Sequence, residues 1–260
     1  MNKKALKNRI DDLSVYDGKY VCIRSIYGDT FSGLAQYGNY DFLECEWGGE
    51  EDGLFIEDFL IYNSQIESIE EIVPHGTAEL WTENLILRRY RLDDVEQLHT
   101  YFGTDPDMYK YSGWNPYATP EMAKETVQHF MESYEDDHSY SWVMDAYGDD
   151  VVAGTIGAYD YKGDQIEVGF SVLKGWQGRG FATEALQKVL EYLTENEGIP
   201  CVTAWCAEDN ICSRRVLEKT GMKLVQTVKD GLKAGDKVYD KLVYEYRNPA
   251  LIPVAKLTEE

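Results

Sequence analysis

Between Gln165 and Gly198 the spacing of apolar positions changes period. Ile166, Val168, Phe170 and Val172 recur every second residue, which predicts a strand with one buried face. Ala182, Ala185, Leu186, Val189, Leu190 and Leu193 then recur at three and four residues, predicting a helix with one continuous apolar stripe that Gly198 and Pro200 close. The glycine-rich stretch Gln177-Gly178-Arg179-Gly180-Phe181-Ala182 joins the two.

The rest of the chain reads in the same terms. Residues 1–13 predict a short helix with Ala5, Leu6, Ile10 and Leu13 on one side. Five short β-like runs come next, at Tyr20–Ile26, Phe31–Gln36, Asp41–Trp47, Leu54–Ile61 and Gln65–Ile72, separated by turn chemistry at Tyr27-Gly28-Asp29, Gly38-Asn39, Gly48-Gly49 and Asn63-Ser64. Five short curled strands suggest a small barrel. The polar stretch from Glu70 through Pro74 and Gly76 reads as a linker, dividing the chain into 1–76 and 77–260. Beyond it come a strand at Leu85–Tyr90, a helix capped by Asp93, an interruption at Pro106 and the aromatic residues after it, and a helix at Pro120–Tyr134. A hairpin at Tyr140–Ala146 and Val151–Tyr159, turning at Gly148-Asp149-Asp150, leads into the central strand. After the long helix come a strand at Cys201–Ala207, a helix at Asn210–Thr220, and a hairpin of Lys223–Lys229 and Val238–Tyr246 around Gly231 and Gly235.

Composition narrows the function classes. The 260 residues carry a net charge of -22, so a phosphate backbone is repelled and nucleic acid is an improbable partner. Six basic against 15 acidic residues through Gly76, a net of -9, spread that acidity over both parts. The five cysteines form no Cys-x-x-Cys pair, four histidines are scattered, and no metal site is expected. The N-terminus has no apolar signal core and no segment approaches a membrane span, which makes the cytoplasm the expected compartment.

The glycine turn carries the chemistry. Its glycines let the backbone approach a ligand closely, and the helix after it aims unpaired N–H groups and the positive end of its dipole at the same place, a seat for phosphate. Thr183 stands where a dinucleotide fingerprint needs a small residue, and no Gly-Lys-Ser/Thr loop occurs. The turn matches the Gln/Arg-x-x-Gly-x-Gly/Ala signature of the GCN5-related N-acetyltransferases (GNAT). Two more segments agree with it: LILRRYRLDD resembles the opening of the RimJ/RimL-type branch, and NICSRRVLEKTGM resembles that branch's Asn-x-x-Ser element. The first 76 residues weakly resemble Sm-like barrels through Gly28-Asp29, Gly33-Leu34 and Asp41, without the RNA-binding signature of that family.

The resemblance implies an α+β acyltransferase fold, a mixed and mostly antiparallel sheet with flanking helices, preceded by a small β-barrel. It implies an enzyme that transfers acetyl from acetyl-coenzyme A to a primary amine, a protein N-terminus or a small and possibly cationic molecule, by direct attack. Ser171, Val172 and Leu173 would offer an open strand edge to the pantetheine arm, with the N–H of Val172 or Leu173 on the oxyanion. Gln177, Gly178, Arg179, Gly180, Phe181, Ala182 and Thr183 would hold the pyrophosphate. Glu167 would act as the proton acceptor or as a carboxylate that orients the acceptor, with Asp160 and Asp240 as the alternatives. Ser213 would hydrogen-bond the leaving thiolate or merely satisfy local backbone, and Asn210 would fix the cofactor arm or only cap its helix. Tyr109, Tyr111, Trp114 and Tyr239 would wall the acceptor pocket or pack as core. The competing reading is a non-catalytic acyl-coenzyme A-binding or interaction protein. Self-association through the N-terminal part is a further expectation.

Overall fold

The computed structural model describes residues 10–47, 49, 51–56, 59–146 and 151–248. By contact the chain divides into two compact units, Met1–Pro74 and His75–Glu260. The expected helix over 1–13 and the turn at 148–150 fall largely or wholly outside the described residues, although Leu13 is fully buried in the first core.

In the first unit β1 (Tyr20–Ser25), β2 (Thr30–Gly38), β3 (Gly53–Ile56), β4 (Phe59–Tyr62) and β5 (Ile66–Glu71) form an antiparallel sheet in the order β4-β3-β2-β1-β5. Val21, Ile23, Ala35, Leu54 and Ile56 fill its core around Leu13. The run expected as a strand at Asp41–Trp47 is instead a helix, α1 (Tyr40–Trp47). Asn39 starts it, its side chain accepting the N–H of Phe42 and its carbonyl that of Leu43. Leu43 is buried there while its neighbours Phe42 and Glu44 are exposed. The single strand expected at Leu54–Ile61 folds back on itself as the β3/β4 pair, with Ile56 opposite Phe59.

The second unit holds β6 (Leu80–Trp81), β7 (Leu85–Arg88), β8 (Tyr140–Ala146), β9 (Val152–Tyr159), β10 (Gln165–Val172), β11 (Cys201–Ala207), β12 (Lys223–Ala234) and β13 (Lys237–Arg247) in one sheet, ordered β12-β13-β11-β10-β9-β8-β7-β6. Among these described strands only β10 and β11 pair in parallel. Gly231 lies within β12 where the register shifts, and the chain reverses at Gly235, whose φ is +60°.

Helices α2 (Asp94–Leu98), α3 (Pro106–Tyr109) and α4 (Pro120–Ser133) belong to one face of this sheet, where Leu98, Ala123 and Val127 pack with Val143, Val152 and Leu173. A wider, π-type turn at His99–Gly103 extends α2. It requires glycine at 103, because a Cβ there would lie 1.8 Å from the carbonyl oxygen of Tyr117. The opposite face takes α5 (Phe181–Glu191), its π-type extension Tyr192–Asn196, and α6 (Ile211–Lys219). Trp142, the neighbour of Val143 in β8 and so turned the other way, meets Tyr192 edge-on.

The LILRRYRLDD segment is held by an ion network. The Arg88 guanidinium donates to both oxygens of Asp94, at 2.8 and 3.0 Å, and through Nε to Asp145 at 2.7 Å. Asp93 precedes α2 but makes no side-chain cap; Asp94, the first residue of the helix, reaches back to accept the N–H of Arg91 at 2.7 Å. At the start of the unit, Gly76 donates its N–H to Glu197 at 3.0 Å, and the Tyr192 hydroxyl lies 3.1 Å from the Gly76 carbonyl and 2.9 Å from Glu197. The Glu197 side chain is only 5% exposed, so these partners take the place of water. Among the described residues no helix is long and apolar enough to cross a membrane.

Candidate active site

Strand β10 has two different edges. Along β9 it is paired from Glu167, opposite Tyr159, to Val172, opposite Gly154. Along β11 the ladder holds for three residues only, Gln165, Ile166 and Glu167, opposite Cys201, Val202 and Thr203. Beyond Glu167 the two parallel strands part, leaving a wedge. Leu173 donates its N–H to Ala153 at 2.8 Å, so it faces β9 and is not free for an oxyanion. By the alternation of a strand, the N–H groups of Phe170 and Val172 then point into the wedge and those of Ser171 and Gly169 into the β9 ladder. Of the two expected oxyanion donors, Val172 is therefore the one so placed. Its carbonyl, on the same side, accepts from Gln177 Nε2 at 3.0 Å.

The glycine turn lies at the open end of that wedge. Gly178 and Gly180 have φ of +79° and +93°, and a Cβ on either would meet nothing within 4 Å, so conformation is what requires glycine here. Gly180 opens α5 without a side-chain cap, and its carbonyl takes the N–H groups of Thr183 and Glu184. The preceding N–H groups, those of Phe181 and Ala182, are aimed past the helix end as an anion seat. The Glu184 carboxylate is held by Asn84, through its backbone N–H at 2.7 Å and its side-chain amide at 3.1 Å. Arg179 rests 4.5 Å over the Trp176 ring, which stacks on Phe181. Beside Leu173, Lys174 and Trp176 opens a recess of about 480 Å³ that Thr100, Tyr101 and Thr104 complete.

Glu167, Gly169 and Ser171 project from the face opposite α5. Glu167 Oε1 accepts from the Trp205 indole N–H at 2.8 Å. Across the ladder stands Tyr159, whose ring lies over Gly169: a Cβ there would come 3.2 Å from the Tyr159 hydroxyl. Burial, and then the charge of Glu167, push the Tyr159 phenol well above its usual range. Lys241 Nζ stands 4.7 Å from the Trp205 ring centre.

Cys206 comes after Trp205 and so faces the other way, toward α6, which also receives the Tyr244 hydroxyl at Glu218, 3.4 Å away. Ser213, in the first turn of α6, is thus across the sheet from Glu167. Asn210 caps that helix, its Oδ1 accepting the Ser213 N–H at 3.2 Å. The expected aromatic wall separates into three. Tyr111 and Tyr239 meet edge-on with centroids 5.5 Å apart, and the Tyr111 hydroxyl donates to the Asp209 carbonyl. Trp114 is 65% exposed, whereas Tyr109 packs against the core around Leu98. Asp240 is engaged by the Asp230 N–H at 2.8 Å, and Asp160 is an exposed loop residue with φ of +57°. Trp205 and Tyr159 carried no signal in the sequence, because only the strand register brings them to Glu167.

Comparison with known proteins places this arrangement. The profile of the acetyltransferase (GNAT) domain matches residues 84–223. An uncharacterized N-acetyltransferase, p20, of Bacillus licheniformis is 25% identical over 167 residues, covering 64% of this chain and 93% of its own. A GNAT-family acetyltransferase structure from Bacillus anthracis superposes with a TM-score of 0.58 at 25% identity, over 65% of this chain and 98% of that one. RimL, a ribosomal L7/L12 alpha-N-protein acetyltransferase solved in complex with coenzyme A, superposes with a TM-score of 0.59 at 18% identity, over 68% of this chain and 98% of its own. The wedge, the uncapped α5 terminus and the glycines of positive φ fit the arm and pyrophosphate of such a ligand. The chain belongs to the GNAT acetyltransferases.

Proposed function

We propose that the enzyme acetylates a primary amine by direct attack on the thioester, within the RimJ/RimL-type branch of the family. The observation that carries this reading is the end of the β10–β11 ladder at Glu167, beyond which the alternation of β10 aims the Val172 N–H into the wedge on the same strand that carries the carboxylate. Backbone groups of Phe170 and Val172 pair with the pantetheine arm, and the N–H groups of the Gly178–Ala182 turn hold the pyrophosphate, that of Thr183 being spent on the Gly180 carbonyl, with Arg179 swinging from Trp176 to a phosphate oxygen. Glu167 accepts the proton of the acceptor ammonium, directly or through one water, since an alkyl ammonium with a pKa near 10 is otherwise charged at neutral pH. The amine nitrogen bonds to the carbonyl carbon, Val172 stabilises the oxyanion, and the carbon–sulfur bond breaks as the second amine proton passes to the departing sulfur, leaving an amide and a free thiol. Ser213 donates to the sulfur as its charge develops, from the other side of the wedge.

Tyr111 and Tyr239 wall the acceptor, either a protein N-terminus, as the RimL likeness suggests, or a small amine. The first unit serves as a small barrel-like accessory that contacts another protein or a second copy, its net charge of -9 being unsuited to RNA. A panel of primary amines and N-terminal peptides, assayed by thiol release from acetyl-coenzyme A, tests the activity. Glu167→Gln should lower kcat about 10²–10⁴-fold on the best acceptor and leave the KM for acetyl-coenzyme A unchanged. Full turnover by that variant would transfer the proton-accepting role elsewhere.

A further inference from the structure

Trp205 stands two residues beyond the last β10–β11 pair, where the strands have begun to part, yet its indole N–H reaches back to Glu167 Oε1 at 2.8 Å. We propose that Trp205 is the positioning residue of the proton-accepting site, fixing one oxygen of Glu167 so that the other faces the amine. This rests on Glu167 being the proton acceptor.

The chemistry of the contact defines its role. An indole nitrogen donates and cannot accept, so the bond can only be made to a carboxylate lone pair and cannot reverse as a hydroxyl's could. The indole is itself restrained. Its strand is laddered to β13, with Val243 opposite Trp205, and the Lys241 ammonium lies over its face in cation–π geometry. On the other flank Tyr159, carried by β9, stands opposite Glu167. The carboxylate is thus held between side chains from both neighbouring strands at the apex of the wedge. A proton acceptor works only within hydrogen-bond reach of the proton, and a free glutamate samples many rotamers that are not.

Steady-state kinetics of the full chain, using the amine that the panel selects, decide the matter. Trp205→Phe keeps an aromatic ring and removes only the donor. A hydrogen bond to a charged group is worth enough for kcat to fall about 10- to 100-fold. The KM for acetyl-coenzyme A and the thermal shift that it produces should not move. On a Glu167→Gln background the same change should cost less than about twofold, because the two residues act as one unit. An unchanged kcat in Trp205→Phe, or a loss that multiplies with that of Glu167→Gln, would overturn the inference. If Phe at 205 unfolds the chain, Trp205→His decides instead: its ring N–H should retain kcat within a few-fold, and a loss equal to that of Glu167→Gln overturns the proposal. When Glu167→Gln is impaired and Trp205→Phe is not, only the positioning role fails. Should Glu167→Gln be fully active, the proton-acceptor reading falls and this one with it.

Discussion

Gly178 and Gly180 combine positive φ with empty space where side chains would stand. Gly180→Asp fails twice in consequence: the backbone becomes strained, and a carboxylate projects toward the anion seat at the positive end of α5. Wild-type protein should gain melting temperature in millimolar acetyl-coenzyme A by mass action, and Gly180→Asp should not. A shift that survives the substitution removes the pyrophosphate from this turn. The cysteines give a pH prediction of opposite character. Burial raises the Cys206 thiol from 9.0 to about 11, and burial with Glu245 raises Cys201 to about 12. The folded state therefore holds these protons more tightly than the unfolded chain, a contribution complete below pH 9 and lost as pH rises from there through about 11 for Cys206 and about 12 for Cys201. Alkaline unfolding monitored by circular dichroism should show that loss. In the same spirit, exposed Cys45 and Cys212 should react with a thiol reagent at pH 8, while Cys201 and Cys206 should wait for unfolding. The glycine turn was legible in the sequence because a demand for positive φ is local. The Trp205–Glu167 contact was not, because it depends on the register of two strands and on the point where they separate.

At the scale of elements, β10 alternates between a closed edge and an open one. Hydrogen exchange should read that alternation residue by residue. The amides of Ser171 and Leu173, bonded toward β9, should exchange slowly with or without ligand. Those of Phe170 and Val172 should exchange quickly in the free protein and slow by an order of magnitude or more when acetyl-coenzyme A is added. Equal protection across all four would mean that the arm does not pair with this strand. The second unit's strands and helices were legible because their periods run long enough to be distinct, as in β10 and α5. The segment Asp41–Trp47 was misread because Leu43, Cys45 and Trp47 alternate with Glu44 and Glu46, a strand pattern over so short a span. Asn39 reverses that reading by capping the first turn, which satisfies a helix start that alternation alone does not reveal. In Leu54–Ile61 the two apolar runs, Leu54–Ile56 and Phe59–Ile61, are divided by Glu57-Asp58, a break too short to separate two strands by periodicity, and it is the pairing between them that defines β3 and β4.

For the molecule as a whole, the linker around Pro74 separates two units that each carry a core, and we expect residues beyond it to bind acetyl-coenzyme A without the first unit. The position of the cut matters. Composition places the boundary after Gly76, yet Gly76 belongs energetically to the second unit, through Glu197 and Tyr192. A chain beginning at Thr77 deprives a buried carboxylate of its backbone donor. The loss of about 1–3 kcal/mol should lower its melting temperature by roughly 2–12 °C relative to a chain beginning at His75. Identical melting of the two would show that Glu197 finds water instead. Two residues that look like tether are in this sense the first stitch of the second unit. A protease nick, a gene fusion or a recombination breakpoint would leave the enzyme whole when it falls before His75, and would unpick it from the end when it falls just after Gly76.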